Sequence, residues 1–222
     1  MRLSQQQMTR IYLINVGSNT SHSTRARSPI FRDGSFVYVP FPTRSPCGGT
    51  GYPEEALPFV RDIDRFATHA DPDWTNLTYG DVCSNPRAAA LKNVAPSDVL
   101  LFWALLWENT GHGWSDFTGT RGWYLIGALR VAFIVEGGLS VSRLPREYRP
   151  RVRANAHVAG AYRLETGHRV FVGDVARSAC FRRPIDLGTS SEDGLLFRAF
   201  TAADGQAIWR SEERRVGKEC RS

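Results

Sequence analysis

Lysine is nearly absent from this chain: Lys92 and Lys218 are the only two among 28 positive side chains. Arginine carries the rest, and a planar guanidinium, unlike an ammonium, pairs bidentately with phosphate and stacks on aromatic rings. Cysteine is also scarce. Cys47, Cys83, Cys180 and Cys220 stand far apart and form no C-x-x-C pair. That excludes the zinc fingers and ribbons such spacing announces, and the four read as reduced thiols of a cytoplasmic protein. No apolar run approaches the roughly 18 residues of a membrane span. The opening "MRLSQQQMTRIYLINVG" is a poor secretory signal, because its apolar run is short and Asn15 interrupts it. The motifs of several chemistries are missing too: no G-x-S-x-G elbow, no Walker loop, no G-x-G-x-x-G and no H-x-E…P-C-x-x-C deaminase signature.

What remains is a globular composition, 42% hydrophobic and 23% charged over 222 residues, with a net charge of +6. The last stretch, "SEERRVGKECRS", differs from the rest: it has no apolar periodicity and holds one of the two lysines. It is similar to read-through tails of sequences assembled from environmental DNA. The expectation is therefore a domain over residues 1–210 and a non-native tail over 211–222. The tail holds four positive and three negative residues, so the remainder keeps +5, a balance that favours a polyanionic partner.

The spacing of apolar residues predicts a buried strand over "RIYLINVG" (Arg10 to Gly17) and a strand within "RDGSFVYVPF", ended by Pro40 and Pro42. "PEEALPFVRDIDRFAT" (Pro53 to Thr68) has acids in its first turn and helical periodicity, interrupted by Pro58. Asn85-Pro86 reads as the N-cap and first position of a short helix. "VLLFWALLW" (Val99 to Trp107) fits a buried strand or a buried helix. "WYLIGALRVAFIVEG" fits a strand bent at Gly127, and "HRVFVGD" and "SACFRRPIDLG" add one or two more. The expected fold class is α+β: a single domain with a curved mixed or antiparallel β core flanked by a few helices.

Four groups of residues are candidates for chemistry. In "HADPDW", His69, Asp71 and Asp73 are an acid–base or metal-ligand set, with a divalent metal as the cofactor they would hold. Two ligands need a distant third, and His157 or His22 are the choices; the plainer alternative is a capped turn around Pro72. The polar loop after the first strand offers Gly17, Ser18, Asn19, His22, Arg25, Arg27 and Ser28 for a nucleotide or its phosphate. Trp114 and Trp123 flank a glycine-rich loop and suit base stacking. The run "RLPREYRPRVR" (Arg143 to Arg153) is a phosphate-tracking surface or an ordinary solvated face, and "NAHV" places Asn155 and His157 together without a local partner.

Taken in order, "RSPIFRDGSFVYVPFP", "HADPDW", "AAALKNVAPSDVLLFW" and "WYLIGALRVAFIV" resemble the nucleotide modification associated domain 3 family over roughly Ile11 to Phe181. The resemblance implies a component of a DNA base-modification system that acts on a nucleobase or nucleotide. Its partners would be DNA or a nucleotide and other proteins of such a gene system, with no membrane. "APSDVLLFW" and "WYLIGALRV" are more loosely similar to the PUA, ASCH and EVE barrels. That likeness implies the alternative, a non-catalytic reader holding a flipped-out modified base.

Overall fold

The computed structural model describes residues 9–43, 51–61, 67–158 and 164–189. Cys47, Cys220, the connection over 44–50, residues 62–66 of the expected helix and the tail over 211–222 lie outside the described residues. The chain is mostly β with few helices. Its strands are β1 (Ile11–Asn15), β2 (Ser28–Ile30), β3 (Phe41–Thr43), β4 (Ala67–His69), β5 (Thr78–Val82), β6 (Val99–Asn109), β7 (Phe117–Glu136), β8 (His168–Gly173) and β9 (Ala179–Thr189). Among the described residues, one short α-helix, α1 (Arg149–Ala154), and several 3-10 turns connect them. The larger sheet runs β1-β6-β7-β8-β5, with β2 on β6 and β9 on β7; β3 and β4 form a separate pair.

The apolar run of 99–107 is a strand. β6 is buried along nearly its whole length, and a strand covered on both faces reads as a continuous rather than an alternating apolar run. The cap at Asn85 forms as its sequence dictates: Asn85 Oδ1 accepts from Arg87 N at 3.3 Å, ahead of a 3-10 helix over Pro86–Asn93. The helix expected over 53–68 is only a 3-10 segment, Glu54–Phe59, with Val60 already extended. Pro58 explains the difference, since it lacks an N–H and its ring opposes a continuing helical turn. The strand expected within 32–41 is reduced to single contacts, an isolated bridge from Phe36 to Ile30 and a bond from Val39 N to Ser28 Oγ at 3.0 Å.

By contact density the chain divides into two compact units. The first comprises 1–14, 71–102 and 127–180, and the second 15–70, 103–126 and 181–222. In the first, β5 and β8 pair antiparallel with Gly80 opposite Val170, and β7 joins β8 with a register shift between Val131 and Phe133. Its core gathers Val135, Val152, Leu164, Val170 and Val172. Arg151 of α1 donates to the carbonyls of Asn76, Leu77 and Gly173 at 2.6, 3.0 and 2.7 Å. So one arginine of the basic run is turned inward, where it ties α1 to the chain before β5 and to the end of β8. In the second unit, β2 lies parallel to β6 with Pro29 opposite Trp107, beside a core of Ala26, Val39, Ala56, Phe59 and Val60.

Candidate functional site

The first unit holds a carboxylate whose surroundings differ from those of every surface acid. Asp71 is 4% exposed. Its oxygens accept from Gly80 N at 2.9 and 3.1 Å, from Asn155 Nδ2 at 3.3 Å and from His157 Nε2 at 2.9 Å. Asn155 is fully buried and links the parts: Nδ2 also reaches Thr78 Oγ1 at 3.1 Å, and Oδ1 accepts from His157 N at 3.0 Å. The peptide before Pro72 is cis.

Local structure explains why these groups meet. α1 ends at Asn155, whose backbone turns extended, φ −65° and ψ 138°. Two residues later His157 reaches β5 over Gly80, where a Cβ would stand 2.9 Å from Asn155 Oδ1 and closer still to His157 Cδ2. Only glycine leaves room there. His168, on the neighbouring strand, sets its ring 5.3 Å from that of His157, and its buried Nδ1 has no hydrogen-bond partner among the described residues.

Burial works against a charge on His157. The hydrogen bond to Asp71, the charges of Asp71 and Asp81 and a hydrogen bond with the Gly80 backbone outweigh it, and its pKa rises above the ordinary imidazole value. The arrangement thus favours a proton on the imidazole beside the buried carboxylate. A group whose folded pKa exceeds its unfolded one contributes stability in full below the unfolded pKa and loses it as the pH climbs through the folded pKa. Stability of the intact protein is therefore expected to decline as pH rises from about 6.5, and the decline should flatten in His157→Gln. Urea titrations across that range check this; parallel profiles for the two proteins would overturn it.

The other sequence candidates lie in different settings. Asp73 caps the turn before β5, accepting from Asn76 N at 3.0 Å and Asn76 Nδ2 at 2.7 Å. His69 ends β4, and its ring stacks on Phe41 at 5.4 Å, which also stacks with His22 at 6.1 Å. Within the first unit, Asp71 and His157 offer a carboxylate and an imidazole, donor types that suit Zn²⁺, Mn²⁺ or Fe²⁺.

In the polar loop, Gly17 takes φ +73° and lies against the Tyr38 ring. Ser18 and Ser28 are buried, and their hydroxyls donate to the carbonyls of Pro40 at 3.3 Å and Val39 at 3.4 Å. Asn19 caps the 3-10 turn Thr20–His22, accepting from Ser21 N at 2.9 Å. His22 has a lowered pKa, from burial and then from Arg25. Arg25 O accepts from Arg61 N at 2.6 Å. Arg27 lies against Trp107 and Trp114, and Trp123 is buried edge-on to Trp103 at 4.7 Å.

Asn155 and His157 are weak candidates by sequence because neither has a local partner. Their partner Asp71 is 84 residues from Asn155. The one signal pointing to them is a pair of polar, function-capable residues just past an arginine-rich helix.

Fold and site together define a mostly β protein with a buried carboxylate–imidazole centre beside a glycine. The family model of nucleotide modification associated domain 3 matches residues 10–204, and the chain belongs to that family. No curated protein and no solved structure matches the chain.

Proposed function

We propose that this member of the nucleotide modification associated domain 3 family is an enzyme that modifies a nucleobase or nucleotide, with Asp71 and His157 as its reacting centre. Family membership gives the involvement in nucleotide modification. The observation that carries the enzymatic reading is the buried Asp71–His157 pair at 2.9 Å. A carboxylate that fixes and charges an imidazole is the arrangement that lets a histidine give or take a proton near neutral pH. α1 and the strands β5 and β8 that it braces would be the α+β frame holding the pair. The chain would work in the cytoplasm on DNA or its nucleotides, with other proteins of a base-modification gene system.

A divalent metal suits the same residues. Asp71 and His157 of the first unit supply a carboxylate oxygen and an imidazole nitrogen to it. When bound, the metal would supply Lewis acidity or an activated water. Because the metal and the proton compete for His157, affinity would rise with pH. The reader alternative needs an open aromatic face, and Trp123 is buried while Trp114 lies under guanidinium groups, so those positions support it less.

The test is to incubate the full chain with DNA and with free nucleotides, each with and without Mn²⁺, Fe²⁺ or Zn²⁺, and to analyse the nucleosides by mass spectrometry. A new nucleoside mass is expected, with its rate of formation reduced about 10²–10⁴-fold in His157→Ala. Tight binding of modified DNA with no product under any condition would replace the enzyme reading by the reader.

A further inference from the structure

The second unit carries an alternation of cations and indoles that the reacting centre does not use. Arg61 lies over Trp114 at 5.6 Å, Arg27 over Trp114 and over Trp107 at 4.7 Å each, and Arg121 over Trp107 at 4.9 Å. Arg27, in the middle, also faces Phe117 at 5.3 Å. Backbone pairing sets this order. Ala26 bridges Val60, with Arg27 N on Phe59 O at 3.2 Å and Arg61 N on Arg25 O at 2.6 Å, which aligns the segments of Arg27 and Arg61. Pro29 of β2 pairs with Trp107 of β6, which brings the same segment alongside that indole. Trp114 is fixed by a loop in which Asn109 Nδ2 holds Gly113 O at 2.9 Å.

Three like charges in one stack is a costly arrangement unless an anion completes it. None of Arg27, Arg61 and Arg121 forms an ion pair among the described residues, whose ion pairs involve other groups. The acids of the neighbouring stretch are engaged elsewhere: Asp116 accepts from His112 N and Gly113 N at 3.0 Å each, and Glu108 accepts from the Thr118 hydroxyl at 3.0 Å. Burial and the charges of Arg121 and Arg61 lower the pKa of Arg27. The outer two arginines are exposed. A guanidinium stacked by its face keeps its N–H edge available for a phosphate. Each indole is shared by two of the cations, Trp114 by Arg61 and Arg27 and Trp107 by Arg27 and Arg121.

We propose that this ladder is a strand-binding surface, on which backbone phosphates of a polynucleotide lie against the edges of Arg61 and Arg121, while Arg27, whose Nε donates to Ser23 O at 2.6 Å, adds its charge between them. The inference rests on the reading of the chain as one that acts on nucleotides, and it names the polymer rather than the free nucleotide as the bound species. Arg61 and Arg121 take the phosphates, while Trp107 and Trp114 hold the guanidinium planes in place.

The experiment is a fluorescence-anisotropy titration of the full chain with a labelled single strand of about 15 nucleotides, repeated over a range of salt. A duplex of the same length is run in parallel. In Arg61→Gln with Arg121→Gln, affinity at low salt is expected to fall at least tenfold. The slope of log K against log salt is expected to lose roughly 0.7 per contact removed on a single strand, or 0.9 on a duplex. A thermal melt matching the parent's shows that the exposed substitutions leave the fold intact. Unchanged affinity and slope would overturn the proposal and leave the ladder as a brace. Equally tight, salt-matched binding of polyglutamate would overturn it too, by showing a surface for any polyanion. The assay reads binding alone, so its failure is separable from that of the enzyme. Strand affinity in a chain without turnover sinks only the enzymatic reading, and turnover in a chain whose affinity ignores both arginines sinks only the ladder.

Discussion

Asp71→Asn is expected to destabilise the protein by about 3–5 kcal/mol, the usual cost of removing one partner from a buried ion pair. Three side-chain and backbone donors converge on this carboxylate, from Gly80, Asn155 and His157. An asparagine offers one oxygen, so its amide N–H₂ must face another donor. The imidazole has one escape: it can lose its proton and accept from the new amide. The loss should therefore be larger at pH 6 than at pH 8, because only at the lower pH does a buried imidazolium remain without its counter-charge. Urea unfolding of parent and variant at the two pH values measures this. An equal loss at both would mean that His157 is neutral in the parent. Asp73→Asn serves as the contrast. That residue only caps a turn, through Asn76, and about 1 kcal/mol is expected. Any turnover should vanish in the first variant and persist in the second.

The second large effect is expected at Gly80, a residue with no ionisable group of its own. Its added Cβ would meet Asn155 Oδ1 at 2.9 Å and crowd the His157 ring. Neither neighbour is a flexible chain end. Asn155 is held by Asp71, Thr78 and the His157 amide, and His157 is held by Asp71. Gly80→Ala should thus cost roughly 1–3 kcal/mol as overpacking. It should also push the imidazole off the carboxylate, with loss of activity and a fall of the His157 pKa toward the ordinary value. Imidazole proton shifts in an NMR pH titration follow that change directly. At Gly51 a Cβ would meet nothing within 4 Å, and Gly51→Ala is expected to change stability by less than about 0.5 kcal/mol. If both alanine variants melt alike, the packing argument at Gly80 fails.

Several features are legible in the local pattern of the chain. The cap at Asn85 and the existence of strands at 11–15, 123–136, 168–173 and 179–189 follow from local rules, because a capping side chain bonds within three residues and an apolar pattern reports its own period, whereas the glycine-rich stretch read as a loop already contains the start of the strand Phe117–Glu136. "HADPDW" stands out for its residue types, and the arginine-rich composition points to a polyanion. Legibility fails where a local signal admits two solutions. The run of 99–107 is apolar throughout, and only its neighbours make it a strand. The helical period after Pro53 gives way after six residues because Pro58 cannot continue the ladder. The basic run of 143–153 has the composition of a single surface, yet Arg151 is turned inward onto three carbonyls.

By itself, then, the sequence determined the cap at Asn85, four of the nine described strands, the family and the unusual acids of 71 and 73, since each depends on residues close together in the chain. Only the tertiary structure decided which of those acids is buried against an imidazole. Asp71 meets Asn155 and His157 because α1 ends over β5 and Gly80 leaves room for them, a pairing across 84 residues that no local preference encodes. The same holds for the arginine ladder: its members come from separate segments that backbone pairing brings side by side, and neither spacing nor composition specifies that neighbourhood.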